Sequence, residues 1–293
     1  MSGGGEDIMK DKKGIKAKKN EKFSDKTKRI LNFRDVREHK VITTVYIVLR
    51  VIIVGIFVFS IINGRWENTM TCFMSFVLLM IPSFIESKMK IDLPNAMEVI
   101  MIMFVFAANI MGEMGSFYEK IPFWDTLLHT LNGFICAGVG FGLIDILNRN
   151  EKVKMNLSPL FVCLFSFCFS MTAGTVWEFF EFGVDMFLGK DMQKDTIVNS
   201  INSVLLSGDT GDITRIKGIT DTVVNGKSLG INGYLDIGLI DTMKDLLVNF
   251  IGAVVFNIAG YFYIKNRGKK AGFISNFVPR RINDEANGKA ENN

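Results

Sequence analysis

Histidine is almost missing from this chain: its 293 residues hold only His39 and His129. That scarcity excludes an HExxH zinc helix and any site built from several imidazoles. A Ser/His/Asp signature is lacking as well. Cysteine is sparse. Cys72, Cys136, Cys163 and Cys168 all fall inside apolar runs, and none forms a CxxC pair. They read as packing residues, not as a disulfide framework or zinc ligands. The first charges are not followed by the apolar core and small-residue cleavage site of a secretory signal. Excess charge of one sign is missing too. A net charge of +4 makes no case for nucleic acid, and no such partner is expected.

What the chain has is apolar length. Hydrophobic residues make up 48%, and mean hydropathy is +0.26. Six runs approach the ~20 residues that cross a bilayer core of ~30 Å. They cover Val41 to Ile62, Thr69 to Ile85, Ala96 to Met111, Trp124 to Leu147, Leu157 to Leu188 and Ile240 to Ile264. The expected fold class is all-α: a polytopic membrane helix bundle of about six transmembrane helices. Residues 1–40 read as a basic, disordered tail. Residues 41–264 form the membrane domain, with a long loop over 189–239. Residues 265–293 form a second basic tail.

Lys and Arg orient the bundle. Residues 1–40, 86–95, 148–156 and 265–293 carry 13, 2, 3 and 7 of them. The alternate segments 63–68, 112–123 and 189–239 carry 1, 1 and 5, the last spread over about fifty positions. This predicts a multi-pass protein of the cell membrane with both termini cytoplasmic and 189–239 extracytoplasmic. An amphipathic helix covering the outer mouth is the expectation for that loop.

Polar residues break the apolar runs in a pattern. Asp125, His129 and Asn132 share one face at the start of the fourth run. Glu178, Glu181 and Asp185 share a face at the end of the fifth. Asp241, Asp245 and Asn249 do so at the start of the sixth. The fourth and sixth runs enter from outside and the fifth leaves to the outside, so these residues share a layer at the outer leaflet. Gly138 and Gly142 have GxxxG spacing, and Gly252 leaves room for a neighbouring helix. Facing carboxylates repel strongly in a low dielectric. Protonation, pairing with Lys244 or His129, or a bound cation would relieve the repulsion. Oxygen-rich ligands with one imidazole suit Mg2+, Mn2+ or Ca2+ better than Zn2+ or Fe2+. The candidate metal ligands are Asp125, His129, Glu178, Glu181, Asp241, Asp245 and Asn249. His129 and Glu178 are also the candidate proton acceptors.

The motifs Trp124-Asp125-x-x-x-His129, Trp177-Glu178-x-x-Glu181 and Asp241-Thr242-x-x-Asp245-x-x-x-Asn249-x-x-Gly252, with Asp191-Met192-Gln193-Lys194-Asp195 in the loop, resemble the YjdF-type family of bacterial inner-membrane proteins. The likeness runs from about Ala96 to Tyr263. It implies a polytopic helical membrane protein and these motif residues, and it implies no substrate. Three functional readings are open. One is a divalent-metal-dependent hydrolase or transferase acting on a lipid or envelope substrate. Another is a cation or small-solute transporter, which would need polar residues through the whole membrane depth. The last is a non-catalytic membrane protein with a binding loop. The sequence leaves enzyme or not open, and leaves the oligomeric state unread.

Overall fold

The computed structural model describes residues 40–89, 91–148, 155–266, 273–278 and 280–281. All but Lys40 of the tail read over residues 1–40, and most of the one read over 265–293, lie outside them. The chain divides into two units, Met1–Val48 and Leu49–Asn293. The described part of the first is the beginning of helix α1 (Lys40–Ile62). The second unit holds the remainder of α1 and every other described element.

Six stretches of helix among the described residues are long and apolar enough to cross a membrane: Thr44–Ile62, Trp66–Lys88, Asn95–Met114, Trp124–Asn148, Pro159–Leu188 and Leu239–Lys265. The second, read over Thr69 to Ile85, is interrupted. It consists of α2 (Trp66–Leu78) and α3 (Ile81–Met89). Pro82 has no N–H to give the carbonyl four residues back, so the ladder breaks ahead of it. At the second position of a new helix that missing donor costs nothing.

The third span also differs. Helix α4 (Asn95–Val105) follows Pro94 and runs on as a π-helix over Phe106–Met114. Nine residues of π geometry are far more than the single-turn bulge usually seen. The widened turn ends where the Gly115 N–H donates to the carbonyl of Ile110. Short helix α5 (Phe117–Lys120) comes next. There the ring of Tyr118 lies on Gly112, occupying the space a Cβ would take.

The centre of the fold is a mutual packing of α6 (Trp124–Asn148), α7 (Pro159–Leu188) and α8 (Leu239–Lys265). Helix α7 starts cleanly, with Ser158 accepting from the Phe161 N–H at 3.3 Å and Pro159 in the first turn. It stops at Gly189, whose φ of 61° suits glycine. Its 30 residues rise about 45 Å, so it outruns the hydrocarbon core. Two hydroxyls bind α7 to α6: Ser166 donates to the Ala137 carbonyl at 2.7 Å and Ser170 to the Gly133 carbonyl at 2.8 Å. Small residues bring α6 and α8 together. Gly133 sits against the Asn249 carbonyl and Gly252 against that of Thr130, with no room for a Cβ at either. Gly138, from the expected GxxxG pair, instead faces the ring of Phe256 and the carbonyl of Phe277.

The apolar core lies towards the other end of these helices. Phe141, Phe256, Val162 and Ala253 are fully enclosed, and Phe134 meets both Phe256 and Phe277 edge-on. Within the stretch read as a basic tail, Ile274, Phe277 and Val278 are buried in this core. Much of the outward apolar surface stays exposed, including Val51, Phe179, Phe187 and Leu247. A bilayer solvates such a surface; water would not.

The loop over 189–239 is not an amphipathic helix. It folds into short antiparallel ladders: β2 (Ile197–Val198) with β7 (Tyr234–Leu235), β3 (Ser200–Ser203) with β4 (Thr214–Lys217), and β5 (Val223–Val224) with β6 (Lys227–Ser228). The β5–β6 turn is Asn225–Gly226, at φ of 52° and 77°. Both residues tolerate the left-handed conformation that a two-residue hairpin demands. A further pair joins β1 (Ile91–Asp92) to β8 (Arg280–Arg281).

Candidate functional site

His129 lies in the second turn of α6 and is 9% exposed. Asp125 stands one turn before it on the same helix. Helix α7 brings Glu178 and Glu181 from its C-terminal end, three residues apart and on one face. Helix α8 brings Asp245 from its second turn. All are therefore at the end of the bundle from which the 189–238 segment springs. The Nε2 of His129 is 3.4 Å from Oδ1 of Asp125 and 3.7 Å from Oδ2 of Asp245. Its Nδ1 is 3.7 Å from Oε1 of Glu178. Glu178, Asp245 and Glu181 are 4%, 3% and 8% exposed.

Two sets of potential ligand atoms each lie within 4.8 Å of one another: Asp125, His129 and Asp245, and His129, Glu178 and Glu181. Both sets share the imidazole. Thr242 approaches Glu178 from α8, yet the Oε2 atom of Glu178 is enclosed without a hydrogen-bond partner. Four buried or half-buried acids around one imidazole form a strongly negative pocket. A group of this kind can hold a divalent cation or share protons, and the geometry alone permits both.

The remaining sequence candidates sit differently. Asn249 is deeper in the bundle and 1% exposed. Its Oδ1 accepts from Asn132 at 3.1 Å, and its Nδ2 donates to the Ser170 carbonyl at 3.4 Å. These contacts tie α6, α7 and α8 together directly below the acids. Asp241 lies in the first turn of α8, and its Oδ2 accepts from the Lys194 backbone N–H at 2.7 Å.

Asp241 is one of three acids that clasp the connector. Asp185, at the end of α7, accepts from the backbone N–H groups of Met192 and Gln193 at 2.6 and 2.8 Å. Asp236, just before α8, accepts from Thr196 at 2.6 Å and Ile240 at 2.8 Å. Four backbone donors between 192 and 196 are thus met by carboxylates at helix ends. Burial pushes the Asp236 carboxyl up, but the backbone N–H groups outweigh it and hold it below the ordinary value. Gln193, buried, donates its side-chain amide to the Thr242 hydroxyl. The Asp191 to Asp195 motif is therefore strapped to the same two helices that carry Glu178 and Asp245.

Tyr118 lies near the acids of the pocket. Burial, followed by the charges of Asp125, Glu113, Glu181 and Asp245, holds its phenol protonated far above the usual range. Gln193 and Thr242 escape a reading by spacing. The one available signal is their place inside motifs that already contain acids.

Six membrane-length stretches of helix among the described residues, with a polar cluster at one end, define a polytopic membrane helix-bundle protein. The chain belongs to the family described as "Predicted membrane protein (DUF2238)", whose model matches residues 45–266. It is also similar to a Thermotoga maritima protein named "Uncharacterized protein", at 28% identity over 131 residues. That match covers 45% of this chain and 66% of the relative, so the chain spans just under two thirds of the relative's length. No solved structure matches the chain.

Proposed function

We propose that this membrane protein holds a divalent cation, Mg2+, Mn2+ or Ca2+, in the cluster around His129, and uses it as a hydrolase or transferase on a lipid or envelope substrate. One observation carries the reading. Carboxylates from three different spans converge on a single buried imidazole, in two sets of ligand-sized separation. Acids gathered in a medium of low dielectric need a compensating charge. Sites of this type in helix bundles are built from carboxylates on facing helices. A cation there would polarise a phosphoryl or carbonyl oxygen, or a water molecule. His129 and Glu178 are the groups placed to act beside it.

The depth of the site belongs to the same proposal. The Lys and Arg distribution puts both termini in the cytoplasm and the cluster at the outer leaflet of the cell membrane, where lipid headgroups and envelope precursors lie. The YjdF-type likeness of the motif residues also belongs here; it narrows the family without adding a substrate.

Elemental analysis of detergent-purified protein tests the reading. Stoichiometric divalent metal is expected in the wild type, and its loss in Asp245→Asn. A wild type that holds no metal and gains no thermal stability from added Mg2+, Mn2+ or Ca2+ would overturn it.

A further inference from the structure

The two sets of ligand atoms cannot both use His129. A neutral imidazole has one acceptor nitrogen, and the other carries a proton. An ion on Nε2 leaves Nδ1–H as a donor, and an ion on Nδ1 does the reverse. The cluster must therefore divide into a seat for the ion and a carboxylate that receives the proton of the opposite nitrogen.

Three observations separate the sides. Asp125 and Asp245 come from different helices, and their carboxylate oxygens lie within 4.8 Å of each other and of the imidazole. Two acids so close in a buried site need a positive charge or a proton between them. Next, Nε2 faces two carboxylates, at separations of 3.4 and 3.7 Å, whereas Nδ1 faces one. The two separations approach the ~3.0–3.4 Å between neighbouring ligands of an ion bonded at ~2.1 Å. Last, the Asp125 side chain is 30% exposed while that of Glu178 is 4%. A working cation needs an open position, and only the Asp125 side offers one. On the other side, Glu178 is enclosed, aims Oε1 at Nδ1 from 3.7 Å, and keeps Oε2 unpartnered. Its Oε1 faces a nitrogen that becomes a donor once Nε2 is taken.

We infer that Asp125, Asp245 and the Nε2 atom of His129 form the seat of the cation, and that Glu178 stands behind the imidazole as a positioning residue, accepting its Nδ1–H. This rests on the proposed cation and assigns its ligands. Carboxylates placed so behind a ligating imidazole fix its tautomer and orientation, and losing one weakens metal binding by about 10- to 100-fold. Glu178 is thereby assigned an orienting role and His129 a ligand's role, each in place of proton acceptor.

The test is Mn2+ binding to the purified full-length protein, read from the free-ion signal in electron paramagnetic resonance. Each variant is checked for helix content and a monodisperse elution profile. Asp245→Asn and His129→Ala are expected to lose binding entirely. Glu178→Gln, which keeps a carbonyl oxygen for Nδ1–H, is expected to bind within ~10-fold of wild type. Glu178→Ala should bind about 10- to 100-fold more weakly. If Glu178→Gln folds and loses Mn2+ as completely as Asp245→Asn, Glu178 is a ligand and the assignment falls while the cation reading stands. If Asp125→Asn and Asp245→Asn both bind like wild type, the seat is elsewhere and the assignment falls. A folded wild type that binds no Mn2+ overturns both.

Discussion

Gly133 of α6 rests directly on the backbone carbonyl of Asn249 in α8. One turn away Gly252 returns the contact on the Thr130 carbonyl. This reciprocal approach sets how near the acid-bearing ends of α6 and α8 can come.

Gly133→Ala should therefore push the two helices apart. Overpacking of this kind costs about 1–3 kcal/mol, and the obstacle here is backbone, which cannot rotate away. The expected outcome is a lower Tm in detergent. Gly252→Ala should do the same, and the double variant should cost less than the sum of the two, because one separation relieves both overlaps. Additive losses would show that the two contacts act independently.

Asp236 supplies the pH dependence. Its carboxyl is held below the ordinary value by backbone donors from Thr196 and Ile240, against the opposing effect of burial. A carboxyl with a depressed folded pKa contributes fully above its unfolded value of ~3.9, and that contribution disappears as pH falls through the lower folded value. Asp236→Ala should cost about 1 kcal/mol at neutral pH, as for other helix-start acceptors. The difference in stability between wild type and variant should shrink once the pH drops below ~4. A gap that widens on acidification would contradict the assigned direction.

Asp185 holds the N–H groups of Met192 and Gln193. Hydrogen bonds to a charged acceptor are worth about 1.5–3 kcal/mol. Asp185→Ala should release this strap first, so amide exchange across residues 189–197 should quicken well before global unfolding. Unchanged exchange would show that Asp241 and Asp236 suffice to hold the connector.

Tyr118 and Gly112 form a matched pair. Gly112→Ala should displace the ring from its place near the acids of the pocket and lower Tm. The same change in a Tyr118→Ala background should cost much less, since nothing then occupies the space. Equal costs in both backgrounds, measured as a double-mutant cycle, would rule out that coupling.

The proposed orientation has its own test. The Asn225–Gly226 turn joins two exposed strands, β5 and β6, so a label there should not disturb the bundle. Asn225→Cys is expected to react with a membrane-impermeant maleimide in intact cells. Labelling only after lysis would reverse the assigned topology.

Some of this was legible along the chain. Six long apolar runs lead to six membrane-length helices, although Pro82 splits one of them and a π-helix ends another. The Asn225–Gly226 dipeptide between Val-Val and Lys-Ser is a hairpin signal, and it points away from the helix expected in that region. Other features had no local sign. Nothing in the spacing of Asp185, Glu178 and Glu181 tells that one faces the backbone of a returning loop while the others face an imidazole. Asp241 looks equivalent to Asp245 by spacing, yet it reaches Lys194, 47 positions away.

By itself, the sequence determined that helices are the form the six apolar runs take and which residues share each helical face. An apolar medium satisfies backbone N–H and C=O groups only when they bond within the segment, and a period of 3.6 then assigns the faces. The tertiary structure alone decided which faces meet, which acids surround His129 and which hold the loop. Spacing leaves the rotation of a helix about its axis undefined. That rotation comes from contacts such as Gly133 on Asn249 and Ser170 on Gly133, made between residues far apart in the chain.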